Sequence, residues 1–109
     1  MRVQDRAGRL QVLYTADGTA VPGSATAPLD ELAREVVTNR GVRVQLAAYA
    51  NGEDNSSSEA RRLSLARALA IRRFLIDRGI AASRIDVRAL GNTSTAGQAD
   101  RVDVVVFDK

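Results

Sequence analysis

Chemistry on a protein needs side chains that can hold a proton, a metal ion or a nucleophilic electron pair, and this chain lacks the commonest ones. Its 109 residues contain no histidine and no cysteine. Without imidazole there is no Ser-His-Asp or Cys-His pair and no HExxH zinc site, and without thiols there is no disulfide and no Cys-ligated metal. The most unusual placement belongs to an arginine. On a helical projection of the segment from Glu59 to Arg78 with Leu63 at zero, Phe74 falls at about 20°, Arg67 at about 40°, Ile71 at about 80° and Leu75 at about 120°. Arg67 therefore lies inside the apolar stripe, where a guanidinium needs a carboxylate, backbone carbonyls or a bound anion to offset its desolvation. One turn away in either direction stand Leu63 and Ile71, so the partner comes from another element or from a ligand. Two readings follow, a ligand-anchoring guanidinium or a satisfied internal ion pair.

The other polar candidates are weaker. Asn51, Glu53 and Asp54 sit in a loop, Asn51-Gly-Glu-Asp-Asn-Ser-Ser-Ser58, that offers a polar pocket wall or a weak cation site, although solvated acidic loops are the commoner case. Arg61 and Arg62 read as a solvated helix start. Tyr14 and Tyr49 are the only tyrosines and tryptophan is absent, so a stacking platform for single-stranded nucleic acid is not expected. Gly91-Asn-Thr-Ser-Thr-Ala-Gly lacks the GxxxxGK[ST] pattern of a phosphate-binding loop. No pair of carboxylates is marked as sharing a dry cleft, so the expectation is a protein that is not an enzyme and needs no cofactor or metal.

The elements that must position Arg67 follow from hydrophobic period. Leu10 to Tyr14 reads as a short strand. Pro28 opens a helix at a first-turn position, and Leu29, Leu32, Ala33, Val36 and Val37 give it one apolar stripe before Gly41. From Val42 the period becomes two, with Val42, Val44, Leu46 and Ala48 on one side of a strand. Ser56 and Glu59 have capping-box spacing for the long helix to Arg78, with Ser57 or Ser58 equally placed to be the cap, and Gly79 suits its C-terminal cap. Ile85, Val87 and Ala89, then Val102, Val104 and Val106, mark two further strands. The order is β-α-β-α-β-β, an α/β two-layer sandwich with helices on one face of a mixed sheet. A second stripe on the long helix, Leu65, Leu69 and Ile76, is suited to covering the N-terminal segment or to a homo- or hetero-oligomer contact.

Length and charge set the outer bounds. One domain is expected, over residues 10–109 with residues 1–9 as an N-terminal extension, and 45% apolar with 27% charged residues is the composition of a globular chain. The 16 Lys+Arg against 13 Asp+Glu leave a formal charge of +3, short of a nucleic-acid footprint. Lys109 is the sole lysine; the positive charges are guanidiniums, whose planar fork suits carboxylates and phosphates. No stretch is apolar and long enough to insert in a membrane, and Met-Arg-Val-Gln-Asp-Arg has no signal-peptide core.

Leu63-Ser64-Leu65-Ala66-Arg67-Ala68, then Ile71, Leu75, Gly79-Ile80 and Ser83-Arg84-Ile85, resemble the OmpA-like C-terminal domain, the peptidoglycan-associated module of outer-membrane proteins, Pal lipoproteins and flagellar stator proteins. The resemblance spans about Leu10 to Phe107 and includes an LSxxRA signature and a terminal RRVE-like strand matched by Asp100-Arg101-Val102-Asp103. It implies a domain that grips the diaminopimelate of the peptidoglycan stem peptide: Arg67 takes the place of the arginine that binds its carboxylate, and Arg101 that of a supporting arginine. The aspartate that receives the amino group ends a G[HY]TD motif, which here reads Ala48-Tyr49-Ala50-Asn51. Asn51 can hydrogen-bond an ammonium without neutralising it, leaving Glu53 or Asp54 as replacements for the charge, and the usual asparagine three residues before the LS leucine is Ala60. The resemblance thus implies a non-catalytic module of a periplasmic, envelope-anchored protein that binds peptidoglycan stem peptide and tethers its parent to the cell wall. The alternative is a degenerate member serving as a structural or protein-interaction scaffold.

Overall fold

A computed structural model of the chain describes residues 3–6, 9–14, 18–50, 57–91 and 100–108. Five strands form one sheet in the order β1-β2-β5-β3-β4: β1 Val3–Arg6, β2 Arg9–Leu13, β3 Val42–Tyr49, β4 Ile85–Gly91 and β5 Arg101–Asp108. Two helices, α1 Thr26–Thr38 and α2 Ser57–Asp77, complete the fold. The sheet is mixed, with β3 and β4 parallel and the remaining neighbours antiparallel. Parallel strands require a crossover between them, and α2 supplies it. The expected β-α-β-α-β-β order is present from β2 onward. Strand β1 is additional and lies in the segment read as an extension, where it pairs Val3 to Arg6 with Val12 to Arg9. With one four-residue run and a polar sequence, it carries too little alternation to be recognised before its partner strand is known.

Alternation on the strands decides which side faces the helices. Leu10, Val12, Val44, Leu46, Ala48, Val102 and Val104 are buried together with Leu29, Ala33 and Val36 of α1 and Ala68, Ile71 and Leu75 of α2. The α1 stripe is narrower than the sequence implies: Leu32 packs at the margin of the core, and Val37 is 40% exposed. On the second α2 stripe, Leu65 and Leu69 are exposed while Ile76 packs against the core. That leaves a pair of leucines, not a three-residue stripe, for any contact with another molecule.

The helix ends are secured by particular groups. Helix α1 stops at Thr38, and the Arg84 guanidinium donates to the carbonyls of Val36 (2.9 Å), Asn39 (2.7 Å) and Val42 (2.9 Å), satisfying carbonyls that the helix cannot. Helix α2 closes in a Schellman turn: Gly79 has φ +110°, its N–H donates to the Ile76 carbonyl at 2.9 Å, and the Ile80 N–H donates to the Leu75 carbonyl at 3.2 Å. At the other end of α2, Gly91 has φ +59°, and a Cβ there would stand 3.0 Å from the Arg61 nitrogen. The end of β4 thus lies against the first turns of α2. Ser64 Oγ fixes that contact by accepting from the Gly91 N–H at 3.1 Å and donating to the Arg61 carbonyl at 2.9 Å.

Candidate functional site

Arg67 is fully buried, with 0% of its surface exposed. It sits nearly three turns into α2, beside the ends of β2 and β5. Because Leu13 pairs with Arg101 across those antiparallel strands, the next residues outward, Tyr14 and Asp100, meet at the sheet end. The Tyr14 N–H donates to the Asp100 carbonyl at 2.9 Å, which holds Asp100 in place by its backbone. Arg67 closes the cluster: Nη1 donates to Asp100 Oδ1 at 2.9 Å, Nε donates to the Gly18 carbonyl at 2.9 Å, and the guanidinium carbon lies 4.4 Å from the Tyr14 ring centroid. An ion pair, a carbonyl and an aromatic face together offset the desolvation of this cation.

The two partners of the ion pair differ in access. The Arg67 side chain has no exposed surface, whereas that of Asp100 is 28% exposed. Seen from solvent, the cluster therefore offers a carboxylate with a guanidinium behind it. Tyr14 forms the wall. Burial pushes its phenol up from 10.0 to about 12, against the opposing pull of the Arg67 charge.

Of the ligand-binding residues expected from sequence, Arg67 is in this cluster, with Tyr14 stacked against it. Arg101 is at the same end of the sheet but on its other face, since Val102 points into the helix-side core. There its Nε donates to both Asp103 carboxylate oxygens at 3.2 Å, and its guanidinium carbon lies 4.1 Å from the Tyr49 ring centroid. Asn51, Glu53 and Asp54 lie outside the described residues. The residue that sequence reasoning missed is Asp100. Its signal was present: it occupies the first position of the RRVE-like run, where an acid replaces a base.

Among the described residues, no group of three His, Cys, Asp or Glu could hold a metal ion, and no helix is long and apolar enough to cross a membrane. Chemically, the arrangement holds a partly exposed carboxylate at the sheet end against a buried guanidinium.

The two-layer arrangement of helices on a mixed sheet is shared with proteins of known structure. The OmpA family model matches residues 13–104, and the chain belongs to the OmpA family. It is similar in fold to the peptidoglycan-associated lipoprotein of Burkholderia pseudomallei, at 21% identity, TM-score 0.79 and 89% coverage of each chain. The OmpA-like domain of FopA1 from Francisella tularensis aligns at 14% identity and TM-score 0.79, covering 97% of this chain and 79% of that one. A periplasmic domain of Helicobacter pylori MotB aligns at 12% identity and TM-score 0.74, covering 98% and 81%. Against curated protein sequences no match emerges.

Proposed function

We propose that this chain is a non-catalytic peptidoglycan-binding module that tethers a periplasmic envelope protein to the cell wall, engaging the diaminopimelate stem peptide at the Arg67–Asp100 end of the sheet. The observation that carries the reading is the fully buried guanidinium of Arg67 held at the junction of α2, β2 and β5. A core position on a long helix is an expensive place for a cation, and an anchoring role for a charged site at the sheet end accounts for it. Membership of the OmpA family and likeness to a peptidoglycan-associated lipoprotein support the ligand class. The test is co-sedimentation with purified sacculi. The chain is expected to pellet with them and to be released by soluble stem peptide; a chain that stays in the supernatant contradicts the reading.

One observation favours the scaffold alternative. Asp100 already occupies Arg67 Nη1, and a guanidinium closed on an internal carboxylate offers no surface to a ligand carboxylate. In that case Arg67 is a structural ion pair and co-sedimentation fails.

A further inference from the structure

We infer that the outward side of α2 adsorbs to an anionic phospholipid surface, with four arginines on the lipid phosphates and two leucines at the contact. The inference goes beyond peptidoglycan binding and does not depend on it. On the helical projection, the core residues Arg67, Ile71 and Leu75 span about 40° to 120°, whereas Leu65 and Leu69 fall at about 200° and 240°, turned away from the sheet. Both leucines are exposed, by 40% and 46%. Arg61 and Arg72 stand on one flank of this pair, at about 160° and 180°, and Arg62 and Arg73 on the other, at about 260° and 280°. Arg61, Arg62 and Arg73 are exposed and Arg72 is half-buried. Ion pairs among the described residues go to Arg43, Arg67, Arg78 and Arg101, and none engages these four guanidiniums. The acids of α2, Glu59 and Asp77, lie at about 320°, outside both rows.

Charge and area decide among the occupants of such a face. A second copy of the chain, packed through the same face about a two-fold axis, would set guanidinium rows against guanidinium rows. A folded protein partner needs more apolar surface than is present: a stable interface takes roughly 800 Å² from each side, and Leu65 and Leu69 together expose less than one fully exposed leucine would. A lipid surface makes no such demand, because attraction there comes chiefly from Lys and Arg close to anionic headgroups, with leucines as a minor apolar contact. Spacing agrees with a planar partner. Arg61 and Arg72 are three helical turns apart, as are Arg62 and Arg73, so each flank holds two charges separated by about 16 Å along the axis. The four charges bound a rectangle on the side of α2 opposite the core, and a plane of phosphates meets all of them at once. Each planar fork suits a phosphate, and its aliphatic stem suits the rim of the leucine pair. The contact is adsorption at the headgroups, since no helix among the described residues is long and apolar enough to cross a membrane.

The experiment is flotation of the 109-residue chain with vesicles of phosphatidylcholine alone and of equal parts phosphatidylcholine and phosphatidylglycerol. At low salt the chain is expected to float with the anionic vesicles about tenfold more than with the neutral ones, and at about 0.5 M salt the difference should vanish. The double variant Arg62→Gln with Arg73→Gln is expected to cut flotation about fivefold or more. A control of equal charge change, Arg34→Gln with Arg88→Gln, removes two exposed arginines that lie off α2 and should lose less than about twofold. All four side chains are exposed, and circular dichroism checks that both variants are folded. Absence of flotation with anionic vesicles overturns the inference, and so does an equal loss in the two double variants, which would assign the effect to net charge. Two other outcomes also overturn it. Dimerisation in lipid-free buffer that Leu69→Gln abolishes would give the face to a second copy, and lipid-free binding of a Glu-rich helical peptide without any flotation would give it to a protein partner. Co-sedimentation with sacculi reads peptidoglycan binding separately, and neither double variant is expected to change it.

Discussion

Replacing Asp100 by asparagine keeps the shape of the site and removes its negative charge, so it measures what the ion pair does for the fold. Breaking a buried pair by removing one partner typically costs about 3–5 kcal/mol, because the other charge stays buried and uncompensated. Here several features lower that cost. Asp100 is 28% exposed, so water already screens its side of the pair, and the asparagine oxygen can still accept from Arg67. The Gly18 carbonyl and the Tyr14 ring also remain on the guanidinium. The expected loss is about 2–3 kcal/mol, which for a domain of this size lowers the melting temperature by roughly 10–20 °C. The reverse substitution is milder. Arg67→Met fills the buried volume with an apolar chain and leaves behind only Asp100, which can hydrate, so its expected cost is about 1 kcal/mol or less. In the double variant Arg67→Met with Asp100→Asn, stability should return close to that of Arg67→Met alone, giving a coupling of about 2 kcal/mol. Urea unfolding of all four proteins with shared m-values provides the free energies. An Asp100→Asn loss below about 0.5 kcal/mol, or one no larger than that of Arg67→Met, would refute the assignment of Asp100 as the charge that makes Arg67 tolerable.

Other consequences follow from single contacts. Tyr14 has its phenol raised to about 12 in the folded chain against 10.0. The folded state therefore holds the proton longer than the unfolded one, and the stability due to this group is complete below pH 10 and declines as pH rises through 10 to about 12; Tyr14→Phe should flatten that decline in thermal melts taken across this range. Gly91→Ala should destabilise by about 1–3 kcal/mol in urea, because φ is +59° and the new Cβ would meet Arg61 backbone at 3.0 Å. A cost within error of zero would show that β4 and α2 can separate there. Arg84→Ala removes the donors to the Val36, Asn39 and Val42 carbonyls, and about 1–3 kcal/mol should be lost, with amide exchange accelerating first in the last turn of α1.

Local pattern carried most of the fold. The period-two runs Val42 to Ala48 and Val102 to Val106, and the stripe of Ile71 and Leu75, specify faces by themselves, and Gly79 specifies where α2 ends. Partner identity was not legible in the same way. Arg67 announced itself because a charge interrupts an apolar stripe, but Asp100 is 33 residues away, and nothing in a helical projection reports which loop end a strand order brings alongside. Arg101 shows the opposite case. The alternation that buries Val102 and Val104 already turns Arg101 to the other face of the sheet, where Asp103, two residues along the same strand, becomes its partner. Family position grouped it with Arg67, whereas strand geometry separates the two by the thickness of the sheet. Strand β1 escaped because a hairpin edge depends on the strand beside it more than on its own residues.

The most direct measurement is an amide chemical-shift titration of the chain with diaminopimelate-containing stem peptide. Saturable shifts centred on Tyr14, Gly18, Arg67 and Asp100 are expected. Unchanged shifts at millimolar peptide, or changes confined to the opposite face around Tyr49 and Asp103, would contradict binding at this end of the sheet and leave the Arg67–Asp100 pair as an internal support of the scaffold.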